Sequence, residues 1–173
     1  MFYSDIKDLI QTVQVVAGAT PQTQTQNVGD GEFYGFELVL DTNVTDQIDI
    51  GGNYTYTHCK ITGALQPSFR ATGVPQHKAL LYVTWRPLAP LTITPSLELA
   101  SNRWSDRSTA PAQAFPYIRT GSYELVNLQA EYAVTENVEL AIGAKNLLDK
   151  NYELSWGLPQ QGRNFYMKAR ARF

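Results

Sequence analysis

Cysteine occurs once in this chain, at Cys59, so no disulfide framework holds it together and no thiol pair offers redox chemistry. An excess of one charge is missing too. Lys and Arg number 14 against 16 Asp and Glu, which leaves no basic field for nucleic acid. No apolar run approaches the ~18–20 residues of a membrane-spanning helix. That excludes a helical membrane protein but not a barrel, whose spans alternate polar and apolar residues. The first residues, MFYSDIKDLI, carry acids and lack the apolar stretch of a secretion signal. Catalytic signatures are equally scarce. His58 and His77 have no Ser or Asp partners at a recognisable spacing, and neither G-x-S-x-G nor H-E-x-x-H occurs. His58 and Cys59 are adjacent, so on a strand they face opposite ways and do not chelate one ion. The sequence therefore predicts no enzyme, no metal site and no cofactor.

What is present is β-structure. With 43% hydrophobic, 12% aromatic and only 17% charged residues, the chain is too apolar for disorder. Period-two alternation runs through Leu91–Leu99, Val126–Tyr132 and Val138–Lys145. In the final stretch Phe165, Met167, Ala169, Ala171 and Phe173 share one face, and Asn164, Tyr166, Lys168, Arg170 and Arg172 the other. Further strands are expected at 31–42, 46–60 and 76–86, with a poorly alternating one near 2–15, about eight in all. Short turns (41–46, 86–90 and 134–137) alternate strictly with long links (16–30, 61–75, 101–120 and 150–162). Outer-membrane barrels have this asymmetry, with short periplasmic turns and long extracellular loops. With Phe173 at the periplasmic rim, counting strands backwards puts every long link outside.

Alternation alone does not say which face meets lipid, since a soluble ligand-binding barrel has the same period with an apolar interior. Two features favour the membrane. The polar face is rich in charges and amides, and Tyr54, Tyr56, Trp85, Trp104, Tyr132, Phe165 and Phe173 fall near predicted span ends, as in an interfacial girdle.

Three segments then carry a family likeness. Asn27-Val28-Gly29 followed by Gly35-Phe36-Glu37 is similar to an "N-V-G-x-x-x-x-x-G-x-E" strand, and Tyr54-Thr55-Tyr56 to its "Y-T-Y" follow-on. The end reads Asn146-Leu147-Leu148-Asp149-Lys150-Asn151-Tyr152, then Gly162-Arg163-Asn164-Phe165, then a terminal Phe173. In this order the segments resemble the β-barrel of TonB-dependent outer-membrane receptors, and the likeness spans nearly the whole chain. Physically, Asn146 and Asp149 are suited to turning the backbone as the strand leaves the sheet, and Gly157, Pro159 and Gly162 to a tight outer loop.

The resemblance implies an all-β, antiparallel transmembrane segment in the Gram-negative outer membrane, in contact with lipid and lipopolysaccharide. Residues 1–173 would be the C-terminal part of a receptor barrel. The plug domain and TonB box of such receptors are not in this sequence, so TonB would act only through a plug, and the chain alone is expected to be inert. The parent would import a ferric siderophore, with cobalamin and other metal chelates left open. Outer-loop candidates for ligand contact are Arg70, Arg103, Trp104, Arg107, Tyr117, Arg119, Trp156 and Arg163, whose cations and rings suit an anionic chelate. The stripe Phe165, Met167, Ala169, Ala171 and Phe173 resembles the signal read by the barrel-assembly machinery through strand addition. Glu131, Glu139, Lys168, Arg170 and Arg172 are expected to form a cross-strand charge ladder in the lumen. The main rival is a complete small eight-stranded barrel with a structural or adhesive role, which leaves the receptor motifs unexplained.

Overall fold

In the computed structural model, the described residues are 1–16, 22–27, 29–62, 70–106 and 117–173. Eight strands form one antiparallel sheet, in which each neighbour in space is the next wall strand along the chain. They are β1 (Phe2–Ile6), β4 (Asp30–Thr45), β5 (Ile48–Thr62), β6 (His77–Leu88), β7 (Leu91–Ala100), β10 (Tyr123–Thr135), β11 (Val138–Lys145) and β14 (Asn164–Ala171). Three small hairpins hang from one end: β2 (Ile10–Val16) with β3 (Gln22–Asn27), β8 (Arg103–Asp106) with β9 (Tyr117–Thr120), and β12 (Glu153–Ser155) with β13 (Leu158–Pro159). The opposite end has only two-residue turns, Asp46-Gln47, Ala89-Pro90 and Glu136-Asn137. The sheet is open, since β1 and β14 lie at its two edges and do not pair with each other.

The register settles which face is which. Directly opposed residues of antiparallel strands share a face. Pairing aligns Leu128 with Ala144, Ala144 with Phe165, Ile142 with Met167, and Leu81 with Leu97. Leu38, Leu81, Trp85, Leu128, Leu140, Ile142, Phe165 and Met167 on this face are all exposed. Buried hydrophobic residues are few among the described residues: Ala100, Tyr123, Leu125, Ala141 and Ala144. An apolar stripe left outside while the other face carries Glu37, Asp41, Gln129, Glu131 and Lys168 is the reverse of a soluble core. It is stable only with hydrocarbon against it. No helix among the described residues is long and apolar enough to cross a membrane, so any crossing is made by these strands.

On the polar face, glycines let aromatic rings bridge strands. Tyr82 lies across Gly51, where a Cβ would collide with its ring, and its hydroxyl donates to Asp41 two strands away at 2.7 Å. Tyr166 repeats the device over Gly143, donating to Gln129 at 2.5 Å. Each lock ties three strands and holds their register.

The short turns share one construction. A register shift precedes each turn, at Asn43/Thr45, Trp85/Leu88 and Ala133/Thr135. The second turn residue then accepts a backbone bond from the strand beyond: Gln47 from Arg86, Pro90 from Ala133, Asn137 from Arg172. Thr45 and Thr135 oxygens cap two of the turns by accepting from the amides of Gln47 and Asn137.

The expected strand at 2–15 is instead two pieces. Asp8 adopts φ 57°, its carboxylate accepts from Asn27, and its amide donates to Asp30. This corner turns the chain out of the wall, so Ile10–Val16 pairs with Gln22–Asn27 rather than with β4. The poor alternation at 2–15 reflects that break.

The terminal motif is a hydrogen-bonded knot. Asn146 is buried, with φ 50°; its amide nitrogen donates to the carbonyls of Lys150 and Gln161, and its side-chain oxygen accepts from Lys150 N–H. Asp149 accepts from the Arg163 amide at 2.7 Å, with Gly162 so close to that carboxylate that a Cβ would sit 2.7 Å from it. The "N-L-x-D-K" and "G-R-x-F" segments are thus the two sides of one loop base.

Two outcomes are expected. A nitroxide at Leu128 will be accessible to oxygen in lipid vesicles and one at Gln129 to a water-soluble reagent; the opposite pattern would reverse the two faces. Asn146→Ala will lower stability in urea unfolding by about 2–3 kcal/mol, because buried backbone groups lose their partners. An unchanged midpoint would remove the knot from the account.

Candidate functional site

The site is built on β8, which sits between two other outer segments. On one side Gly73, at φ 79°, turns the 70–76 segment so that its amide donates to the Trp104 carbonyl at 2.8 Å and Thr72 bridges Trp104. A side chain is strained at that φ, so glycine is what the approach requires. On the other side Ser105, 2% exposed, lies 3.1 Å from the Ser155 hydroxyl and accepts from the Trp156 amide at 2.9 Å. The segments around 70–76, 101–106, 117–122 and 146–163 therefore form one platform.

Strand alternation across β8 and β9 sorts the charged side chains. Trp104 pairs with Arg119, and Asp106 with Tyr117. The Arg119 guanidinium lies 4.7 Å from the Trp104 ring centre and that of Arg70 lies 5.4 Å from it. Such cation–π contacts hold both cations near a ring with little loss of their charge to an acid. Arg103, on the alternate face, lies over Tyr123 at 5.4 Å, and the Tyr123 hydroxyl donates to Glu98 at 3.1 Å. Tyr123 belongs to a small core with Ala100 and Leu125, against which Tyr152 packs.

Between the platform and the outer end of β5 lies a cavity of about 280 Å³. Its walls include Arg70, Arg103, Arg119, Lys60, His58 and Trp104, with no Asp or Glu among the described residues. Four permanent cations around a space without a carboxylate make a field that draws anions. Beside it, burial pushes the Tyr117 phenol up, aided by the Asp106 carboxylate and opposed by the Arg70 backbone N–H. That phenol is neutral at physiological pH, and its oxygen accepts from the Arg70 backbone.

The outer-loop candidates divide accordingly. Arg70, Arg103, Trp104 and Arg119 meet at the cavity, with Tyr117 next to them. Trp156 clasps the far side of β8. Arg163 serves the loop base, its amide on Asp149 and its guanidinium 3.5 Å from the Leu147 carbonyl. Arg107 lies outside the described residues. Trp104, also expected in the interfacial girdle, is in the platform and not on the wall. Lys60 was not among the expected site residues and His58 was weighed only for catalysis and metal binding, because both sit within a strand. Their position just before a long link was the available signal.

Of the expected lumen ladder, one ion pair forms: Arg170 with Glu139 at 3.7 Å, with Arg170 well exposed. An exposed pair of this kind contributes about 0–1 kcal/mol. Glu131 accepts from Gln129 at 2.8 Å, Lys168 lies 5.2 Å from the Tyr166 ring, and Arg172 follows the end of β14. Phe165, Met167, Ala169 and Ala171 form the outward face of β14, with Phe173 beyond it, exposed.

Comparison with known proteins places this geometry. The family described as TonB dependent receptor-like, beta-barrel matches residues 1–147. The probable TonB-dependent siderophore receptor PiuA of Acinetobacter baumannii is 30% identical over 143 residues, covering 75% of this chain and 18% of that protein. The iron-regulated outer membrane virulence protein of Vibrio cholerae O1 (classical strain O395) is 24% identical over 177 residues, covering 96% of this chain and 26% of its own length. The crystal structure of the siderophore receptor PiuA from Acinetobacter baumannii superposes with a TM-score of 0.70 at 22% identity, covering 96% of this chain and 24% of that one. The chain thus spans about a quarter or less of these relatives. The register, the outward apolar face and the family match agree: the chain belongs to the β-barrels of TonB-dependent receptors, a receptor and transporter class of the Gram-negative outer membrane.

Proposed function

We propose that residues 1–173 act as the C-terminal part of a receptor barrel that captures a metal chelate, a ferric siderophore foremost, and passes it inward by TonB-dependent transport. The observation that carries this reading is the acid-free cavity ringed by Arg70, Arg103, Arg119 and Lys60 at the loop end of the sheet. Ferric chelates built on catecholate or carrying free carboxylate are anionic, and guanidinium groups are the side chains best suited to bind such oxygens. The names of the relatives point the same way, PiuA as a siderophore receptor and the Vibrio cholerae protein as iron-regulated.

In this reading the wall does two jobs. Its outer platform concentrates the anion, and its polar face provides the surface against which a plug domain packs. TonB would act on the plug, not on this wall. The outward stripe of β14 would serve assembly, presenting alternate side chains along an edge open to strand addition. Lipopolysaccharide would cover the outer half of the apolar face.

The test is equilibrium binding of radiolabelled iron chelates to the receptor purified from outer membranes. Replacing both Arg70 and Arg119 with Gln is expected to weaken an anionic ferric chelate by about tenfold to a hundredfold, since charge-assisted bonds to two cations are lost. The loss should shrink in high salt, which screens the same field. Unchanged affinity for every anionic chelate tried would remove the cavity from ligand capture.

A further inference from the structure

The polar face of the sheet is divided by sign. Register and alternation place Glu37, Asp41, Asp49, Glu98 and Glu131 on it, from wall strands β4, β5, β7 and β10. The cations of that sector are Lys78 and Arg86 on β6, and Arg86 pairs with Asp49 at 2.6 Å. Across β11 and β14 the sign reverses, with Lys145, Lys168 and Arg170 beside Glu139. Arg170 lies 3.7 Å from that carboxylate. Lys145 and Lys168 are exposed, and neither has a carboxylate within 4 Å among the described residues.

These two ammonium groups are positioned, not free. Lys145 lies 5.9 Å and Lys168 5.2 Å from the centre of the Tyr166 ring. That ring rests over Gly143 and its hydroxyl donates to Gln129, so it forms a fixed base between them. In the row of Lys168, Glu131 lies two strands away beyond Ala141, and its carboxylate accepts from Gln129 instead. A cation on a ring keeps its charge available, and inside a barrel, where water is limited, an ammonium without a counterion is costly. Lys145 stands opposite Asn164, four residues along β14 from Lys168, which is about 13 Å at ~3.3 Å per residue. One small oxyanion does not span that distance, whereas a protein surface with several carboxylates does. A wall whose signs alternated from strand to strand would cancel its own field. One divided into sectors projects a field across the lumen and draws a body with the reverse division into one rotational setting.

We infer that the cation strip of β11 and β14, centred on Lys145, Tyr166 and Lys168, docks an acidic patch of a protein domain seated in the barrel lumen. This rests on the receptor reading, in which that domain is the plug, and adds its orientation. Carboxylates of the domain face β11 and β14, and its cations face the acidic sector.

The full receptor, purified from outer membranes, is treated with a carbodiimide, which joins an ammonium to a carboxylate only where the two touch, and the cross-links are mapped by mass spectrometry. A bond from Lys145 or Lys168 to an Asp or Glu outside residues 1–173 is expected. In parallel, acetylation of the two lysines should be at least about tenfold slower than in the same chain unfolded in urea. In cells, K145E/K168E is expected to loosen the seated domain and lower the vancomycin concentration that stops growth by about fourfold or more, whereas K145R/K168R leaves it unchanged. Heat-modifiable mobility on gels checks the barrel of each variant, and cross-linking of the unaltered protein decides the matter if one does not fold. Rapid acetylation of both lysines, or slow acetylation without a cross-link, would overturn the inference. So would acetylation that citrate or phosphate slows by about tenfold, which would make the strip a station for a small anion in transit. If the purified receptor contains a lumenal domain that these lysines ignore, only the strip falls. If it contains none and binds no ferric chelate, the receptor reading falls with it.

Discussion

The hydrogen-bonded ladder of the eight-stranded sheet is the constraint on which the rest depends. In hydrocarbon no water can serve an unpaired N–H or C=O, so a spanning strand must have its backbone groups taken by neighbours. In the wall, β4, β5, β6, β7, β10 and β11 are each flanked on both sides, and the turns continue the ladder to the rim through the bonds that Gln47, Pro90 and Asn137 accept. Once that ladder exists, side chains alternate by necessity, and the apolar half can face only lipid while the polar half faces the lumen. Tyr82 and Tyr166 then tighten the register across Gly51 and Gly143, where any larger residue would displace the ring.

The loop end follows a different logic. Nothing in the bilayer organises it, so it is organised by direct docking. β8 is the centre: Gly73 and Thr72 attach to it on one side, and Ser155 and Trp156 on the other. The consequence is chemical. Arg70 and Arg119, about fifty residues apart in the chain, come to the same indole, and Arg103 is pressed against Tyr123 with two donors still unused. A concentration of like charge of this kind is unfavourable in isolation; the aromatic rings and the docked backbone hold it together.

Much of this was legible in the sequence because its signals are short-range. Alternation at Val126–Tyr132 and Val138–Lys145 marked two strands that the structure pairs, Leu128 opposite Ala144. The turn residues were equally plain. Asn146 and Asp149 were suited to turning the chain, and both have positive φ. Less was visible where the determinant is a distant contact. The break at Asp8 depends on Asn27 and Asp30, and so the 2–15 segment looked like one weak strand. Strands β3, β8, β9, β12 and β13 were hidden inside what looked like plain links, because strands of two to six residues leave too little pattern.

The sequence by itself determined the class of this protein: a period of two without helical spans, short turns alternating with long links, and a terminal run of motifs that only a receptor barrel strings together in that order. These are properties of neighbours along the chain, set by backbone geometry and local turn chemistry. Which face meets lipid was decided by the tertiary structure, because alternation is symmetric and only register with burial breaks the symmetry. The site was decided there too. Which of the outer-loop cations converge, that Lys60 and His58 join them, that Arg163 serves the loop base instead, and that Arg103 is buried against Tyr123 all follow from how segments of two other loops dock on β8. Long-range docking of this kind leaves no period in a sequence.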